Sequence, residues 1–237
     1  MTDGDAELAA SRAEALGREL WDMRHELRTF PTMDEGLDRA VASKGAPIVL
    51  ADFADNAGGG APSDSTFVLK AALDRGLTDI AFGTFWDPVL VGMCIDAGIG
   101  AEMDVRLGGK IGPMSGDPVD LRITVRGIVR VAVQHLGTAA MNMGDCVWLE
   151  SDGLHVVVNT KRTQTFHPEA FENLGLDLSQ MKYVVVKSSQ HFYDGFAPVA
   201  AEVIHLGTPG AITPNFTIVP YTKRDRNYWP KTENPFS

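Results

Sequence analysis

The chain opens with apolar residues at three- and four-residue steps: Ala13, Leu16, Leu20, Met23 and Leu27. That spacing predicts a helix with one apolar stripe. Glu14, Arg18, Glu19, Asp22 and Arg24 lie off the stripe, and Pro31 is read as the stop. Thr32 and Glu35 are spaced as a capping box, which predicts a second, short helix to about Ser43. From Pro47 the pattern becomes strands alternating with helices. Ile48–Phe53 is apolar on both faces until Asp52, as in a buried parallel strand. After a Gly-rich turn, Ser63 or Asp64 is expected to cap a helix ending near Arg75 and Gly76. Asp79–Phe85 is read as a strand, Asp87-Pro88 as a helix start, Gly98 as its end, and Ala101–Leu107 as a third strand. This order predicts a βαβαβ unit with a parallel sheet.

The period then changes. Leu121, Ile123 and Val125 alternate with Arg122, Thr124 and Arg126, and the phase slips at Gly127-Ile128, the mark of a bulge or turn. Ser151-Asp152-Gly153 signals a hairpin, so residues 118–163 read as an antiparallel meander. A short helix at Pro168–Leu174, a strand at Tyr183–Lys187 and a helix at Phe196–Ile204 complete the pattern, and an irregular tail follows from Thr208. The expected class is α/β: a mostly parallel sheet with an antiparallel meander insertion and an N-terminal helical arm. The expected division is an arm or connection over 1–44 and an α/β domain over 45–237. The unpaired stripe of the first helix calls for a partner chain or self-association.

Composition narrows the function classes. The 237 residues are 44% hydrophobic, enough for a sizeable core. A net charge of -10 argues against nonspecific nucleic-acid binding and against anionic membranes. No apolar run approaches a membrane span, and residues 1–20 are acidic and amphipathic rather than signal-like. Cys94 and Cys146 sit in apolar stretches without a CxxC motif, as expected of reduced, buried thiols in a cytoplasmic protein.

Candidate chemistry gathers where parallel strands would end: the Gly-rich loop, Thr84–Asp87 and Lys187–Phe192. Ligands of open α/β sheets bind at that edge. The loop Asp55-Asn56-Ala57-Gly58-Gly59-Gly60-Ala61-Pro62-Ser63-Asp64 lacks the Lys of a P-loop and the spacing of a Rossmann fingerprint. Three readings stand: a phosphate cradle disfavoured by two nearby carboxylates, a structural turn held by Asp55 and Asp64, or a cleft that binds a neutral or cationic group or supports a site on another domain. Asp55, Asn56, Gly58, Gly59, Gly60, Asp64, Lys187 and Ser188 are therefore candidate substrate-binding residues. His191 is a candidate for catalysis or substrate contact, against the plainer role of a structural hydrogen-bonder. No histidines, cysteines or carboxylates have metal-ligand spacing, and no nucleophile elbow is present.

These segments resemble a known family. Pro47–Asp52 with Asp55–Thr66, Asp87-Pro88, Ala97–Ala101, Leu107–Lys110, Lys187–Phe192 and Thr208-Pro209-Gly210 are similar to the C-terminal domain of the microcystinase C (MlrC-like) metallopeptidases. The resemblance runs from residue 45 through nearly the whole chain, and residues 6–43 resemble the connection preceding that domain. It implies zinc-dependent amide hydrolysis of a peptide-like or small amide substrate. It also implies zinc ligands on an N-terminal domain or separate subunit, with none expected on this chain, which would be a split subunit or fragment. The alternative is a non-catalytic binding module for a small polar or peptide-like ligand.

Overall fold

The computed structural model describes residues 2–27 and 30–236. One compact unit ends at Phe30 and a second begins at Pro31. The first is helix α1 (Ala6–Asp22), capped by Asp5, whose side chain accepts from Leu8 N. It ends at Asp22 rather than near Pro31: Met23 N donates to Glu19 O and Arg24 N to Trp21 O, and turns follow. Residues 28 and 29, which the expected helix also covered, lie outside the described residues. No residue of α1 is buried, and Leu16 and Leu20 are more than half exposed.

The larger unit starts with α2 (Met33–Ala42), closed by the reciprocal Thr32–Glu35 capping box. Its sheet has eight strands: β1 (Ile48–Asp52), β2 (Ile80–Trp86), β3 (Glu102–Leu107), β4 (Val119–Leu136), β5 (Ala139–Ser151), β6 (Leu154–Asn159), β7 (Tyr183–Val186) and β8 (Glu202–Leu206). Their spatial order is β3-β4-β5-β6-β2-β7-β1-β8. The four pairings among β6, β2, β7, β1 and β8 are parallel, and the β3–β6 meander is antiparallel. Helices α3 (Phe67–Asp74) and α4 (Pro88–Ala97) connect the early strands, while α5 (Glu169–Glu172) and α6 (Tyr193–Phe196) flank β7 in sequence.

The sheet splits the core by residue parity, as pleating requires. Ile48 and Leu50 face a cluster with Leu37, Val68, Leu69 and Leu90, so α2, α3 and α4 cover one side. Val49 and Ala51 face Phe171, Phe192 and Phe196, the side of α5 and α6. Gly83 on β2 lies under Phe171, and a Cβ there would meet the ring at 2.4 Å. Burying each of Val184, Val185 and Val186, all fully enclosed, contributes about 1.5–3 kcal/mol.

The α/β class, the mostly parallel sheet, the meander and the slip beside Gly127 are all observed. Three readings change. The third strand is not parallel: β3 pairs antiparallel with β4 at the far edge, because Glu102, Asp104 and Arg106 suit a strand with one solvated face. Residues 196–204 are not a helix: after α6 the chain reaches β8, where Ile204 and Leu206 are buried on the α2 side alongside β1. Ser63 and Asp64 do not cap α3, which begins two residues later behind Thr66. Ser63 has φ +66, and Asp64 is engaged elsewhere.

Candidate functional site

The C-terminal ends of β1, β2 and β7 point the same way, and the loops that follow them meet. Asp55 carries the first loop. Its Oδ1 accepts from Ser63 N and its Oδ2 from Ser65 N, both at 2.8 Å. Asn56 bridges onward: Oδ1 accepts from Gly58 N at 2.8 Å, and Nδ2 donates to Ser189 Oγ at 2.7 Å. Ser63 Oγ donates to Thr84 O at the end of β2. Asp64 accepts from Lys110 N, Ile111 N and Ser115 Oγ, which ties down the segment after β3.

Lys187 lies beneath these loops, 1% exposed. Its ammonium donates to Ser65 O at 2.8 Å and pairs with Asp55 Oδ2 at 2.8 Å and Asp52 Oδ2 at 3.3 Å, 4.3 Å from the centre of the Phe85 ring. Asp52 Oδ1 also accepts from Thr208 Oγ1 at 2.7 Å. Burial disfavours the Lys187 ammonium, but attraction to Asp55 and then Asp52, with their hydrogen bonds, outweighs it and holds its pKa above the ordinary value. Asp52 moves up, first through burial and also through the nearby Asp55, against the pull of Lys187. One cation facing two carboxylates leaves one negative charge in excess within this buried cluster.

The candidates separate into two sets. Asp55, Asp64, Lys187 and Ser188 are almost wholly enclosed, as is most of Asn56. Gly58, Gly59, Gly60 and His191 are on the outside. The amides of Gly58, Gly59 and Gly60 bond to Asn56 Oδ1, Asn56 O and Ala57 O, so the loop is closed on itself. The phosphate-cradle reading therefore fails: the glycine amides it needed are already donated. A surface groove lined by Met33, Phe67, Lys70, Arg75 and Asp117 runs along α2 and α3 instead of at these loops.

Ser188 donates to Gln164 Oε1 at 3.0 Å, and Gln164 Nε2 lies 3.5 Å from His191 Nδ1. The Phe166 ring sits 6.2 Å from the imidazole. Asp52, Thr208, Gln134 and Gln164 are the polar members that residue spacing alone did not single out. Asp52 and Thr208 do fall within the family-like segments; the two glutamines carry no motif.

The resemblance implies zinc, which needs a set of His, Cys or carboxylate donors. Among the described residues no group of three His, Cys, Asp or Glu side chains could hold a metal ion. The buried carboxylates nearest the loops already enclose Lys187. Cys94 and Cys146 are buried and not joined in a disulfide, and burial pushes their thiols up to about 11 and about 12, away from the thiolate a metal needs. None of the described helices is long and apolar enough to cross a membrane.

The family of proteins described as MlrC C-terminus matches residues 50–223. The chain belongs to the MlrC C-terminal family. Within it, microcystinase C from Sphingomonas sp is 33% identical over 235 residues, covering 97% of this chain and 45% of that protein. A crystal structure described as a metallopeptidase from Mesorhizobium sp. BNC1 matches with a TM-score of 0.78 and 26% identity, over 92% of this chain and 44% of the other. This MlrC-family chain thus spans less than half the length of either relative.

Proposed function

We propose that this chain is the part of an MlrC-like, zinc-dependent peptidase or amide hydrolase that walls the substrate cleft, beside a metal centre held by residues outside it. The observation that carries this reading is the length-wide likeness to microcystinase C, which is confined to 45% of that protein. When bound, zinc would polarise an amide carbonyl and lower the pKa of water. Among the described residues no group of side chains fits as its ligands. Their work is architectural. Lys187, Asp52, Asp55 and Asp64 fix the loops from below, and Gly58–Gly60 and His191 face the cleft. The partner is the metal-bearing half, as a linked domain or a separate subunit, and the substrate is peptide-like or a small amide.

Co-expression with a polypeptide corresponding to the other half of these relatives tests this, with zinc content and peptide hydrolysis as readouts. The expected result is a complex that hydrolyses peptide amides, with activity lowered by His191→Ala. Stoichiometric zinc and peptidase activity from this chain alone would overturn the division of labour. Binding of a small polar ligand without any partner half or hydrolysis would favour the binding-module reading instead.

A further inference from the structure

We infer that Gln164 is a positioning residue that fixes the imidazole of His191 with its proton on Nε2, making His191 a hydrogen-bond donor toward the cleft. This rests on the proposed role of His191 above. Its substance is a chemical assignment: a group that offers N–H at Nε2 recognises an acceptor, the carbonyl oxygen or carboxylate of a peptide-like substrate. It does not take a proton through that nitrogen.

The backbone around Gln164 is fixed first. Gln134 on β4 is fully buried. Its Nε2 donates to Gln164 O at 2.7 Å, and its Oε1 accepts from Phe166 N at 2.8 Å and His167 N at 3.2 Å. One side chain from the meander therefore pins the segment on both sides of residue 165. The Gln164 side chain, 8% exposed, is fixed next. Oε1 takes the Ser188 hydroxyl, which leaves the amide nitrogen on the side of His191 and Gly58. That nitrogen is a donor only, so Nδ1 of His191 must supply a lone pair and the ring proton goes to Nε2. The imidazole is further held against Phe166. The glycine loop closes the third side: a Cβ on Gly58 would stand 2.0 Å from Gln164 Nε2. Gly58 is thus needed for the approach of the amide. An outer partner that sets the tautomer of an imidazole is a recurrent device in functional sites.

The test is nitrogen NMR of the purified chain with labelled histidine, at a pH where imidazoles are neutral. The expected spectrum shows His191 Nε2 protonated and Nδ1 bare. Gln164→Glu keeps the shape and the Ser188 bond but presents an acceptor to Nδ1, so the proton is expected to move to Nδ1. Gly58→Ala displaces the amide and is expected to leave a mixture of tautomers. Protonated Nδ1 in the unaltered chain, or an unchanged tautomer in Gln164→Glu, would overturn the proposal. Should Gln164→Glu not fold, the unaltered chain and Gly58→Ala decide between them. Failure here differs from failure of the functional reading, which shows as unaltered KM and kcat for His191→Ala in the assembled enzyme.

Discussion

Two regions of the larger unit use ion pairs in opposite ways. At the strand ends Lys187, Asp52 and Asp55 are 1% exposed or less, and each charge also meets a hydroxyl, an amide or a carbonyl. On the meander Arg106 pairs with Asp120, Arg122 with Asp104 and Glu102, and Arg126 with Glu150, in rows across an exposed face. The arginines of those rows have side chains at least half exposed. Solvent and salt screen such rows, so they keep a sheet face soluble but fix little. The buried cluster fixes geometry, because removing one member strands the others without water. The difference shows why one region can hold a site steady while the other tolerates change.

The sharpest way to break the contrast is Lys187→Met, which leaves two buried carboxylates facing each other. A loss of about 3–5 kcal/mol is expected, read from urea unfolding. Asp55→Asn comes next. Its amide cannot accept from both Ser63 N and Ser65 N, and the loss expected is about 2–3 kcal/mol, with the glycine loop exchanging its amide protons faster. Asp52→Asn is milder, about 1 kcal/mol in the same assay, since burial already pushes that carboxyl up. Arg126→Gln on the meander should cost about 0.5 kcal/mol at low salt and close to nothing at ~1 M salt. A meander variant as costly as Lys187→Met would remove the contrast.

High pH acts on the buried cluster through Lys187. Folding holds the Lys187 pKa above 10.5, so its contribution is complete below that pH and is lost as pH climbs through the higher folded value. Stability of the unaltered chain should therefore fall above pH 10.5 by more than that of Lys187→Met, as followed by urea midpoints. Equal slopes would show that Lys187 carries no such linkage.

What was legible in the sequence is what is decided locally. The Thr32–Glu35 box, the Asp87-Pro88 helix start and the Ser151-Asp152-Gly153 turn all close within a few residues, and each is where the spacing placed it. The convergence of three loops at one sheet edge followed from the apolar strands. The rest depends on distant partners. Val203, Ile204 and Leu206 suit helix or strand equally, and pairing with β1, about 150 residues earlier, decided it. Asp52 is claimed by Thr208, 156 residues away, and Gln134 reaches Gln164 across 30. A glutamine side chain leaves no periodic trace, so the clamp on His191 becomes visible only when the loops are folded.

The interleaved strand order has a consequence for how the molecule is made. β7 lies between β1 and β2, with Tyr183 beside both Ile48 and Ile80. On a ribosome, then, β1 waits for a neighbour translated about 135 residues later, an interval on the order of ten seconds. The meander can pair as it emerges, because its hairpins are adjacent in sequence. Synthesis thus builds the solvated half of the sheet first. The apolar centre, with Lys187 at its tip, closes last, and until then Ile48–Ala51 is an unpaired greasy segment that holdase chaperones would be drawn to.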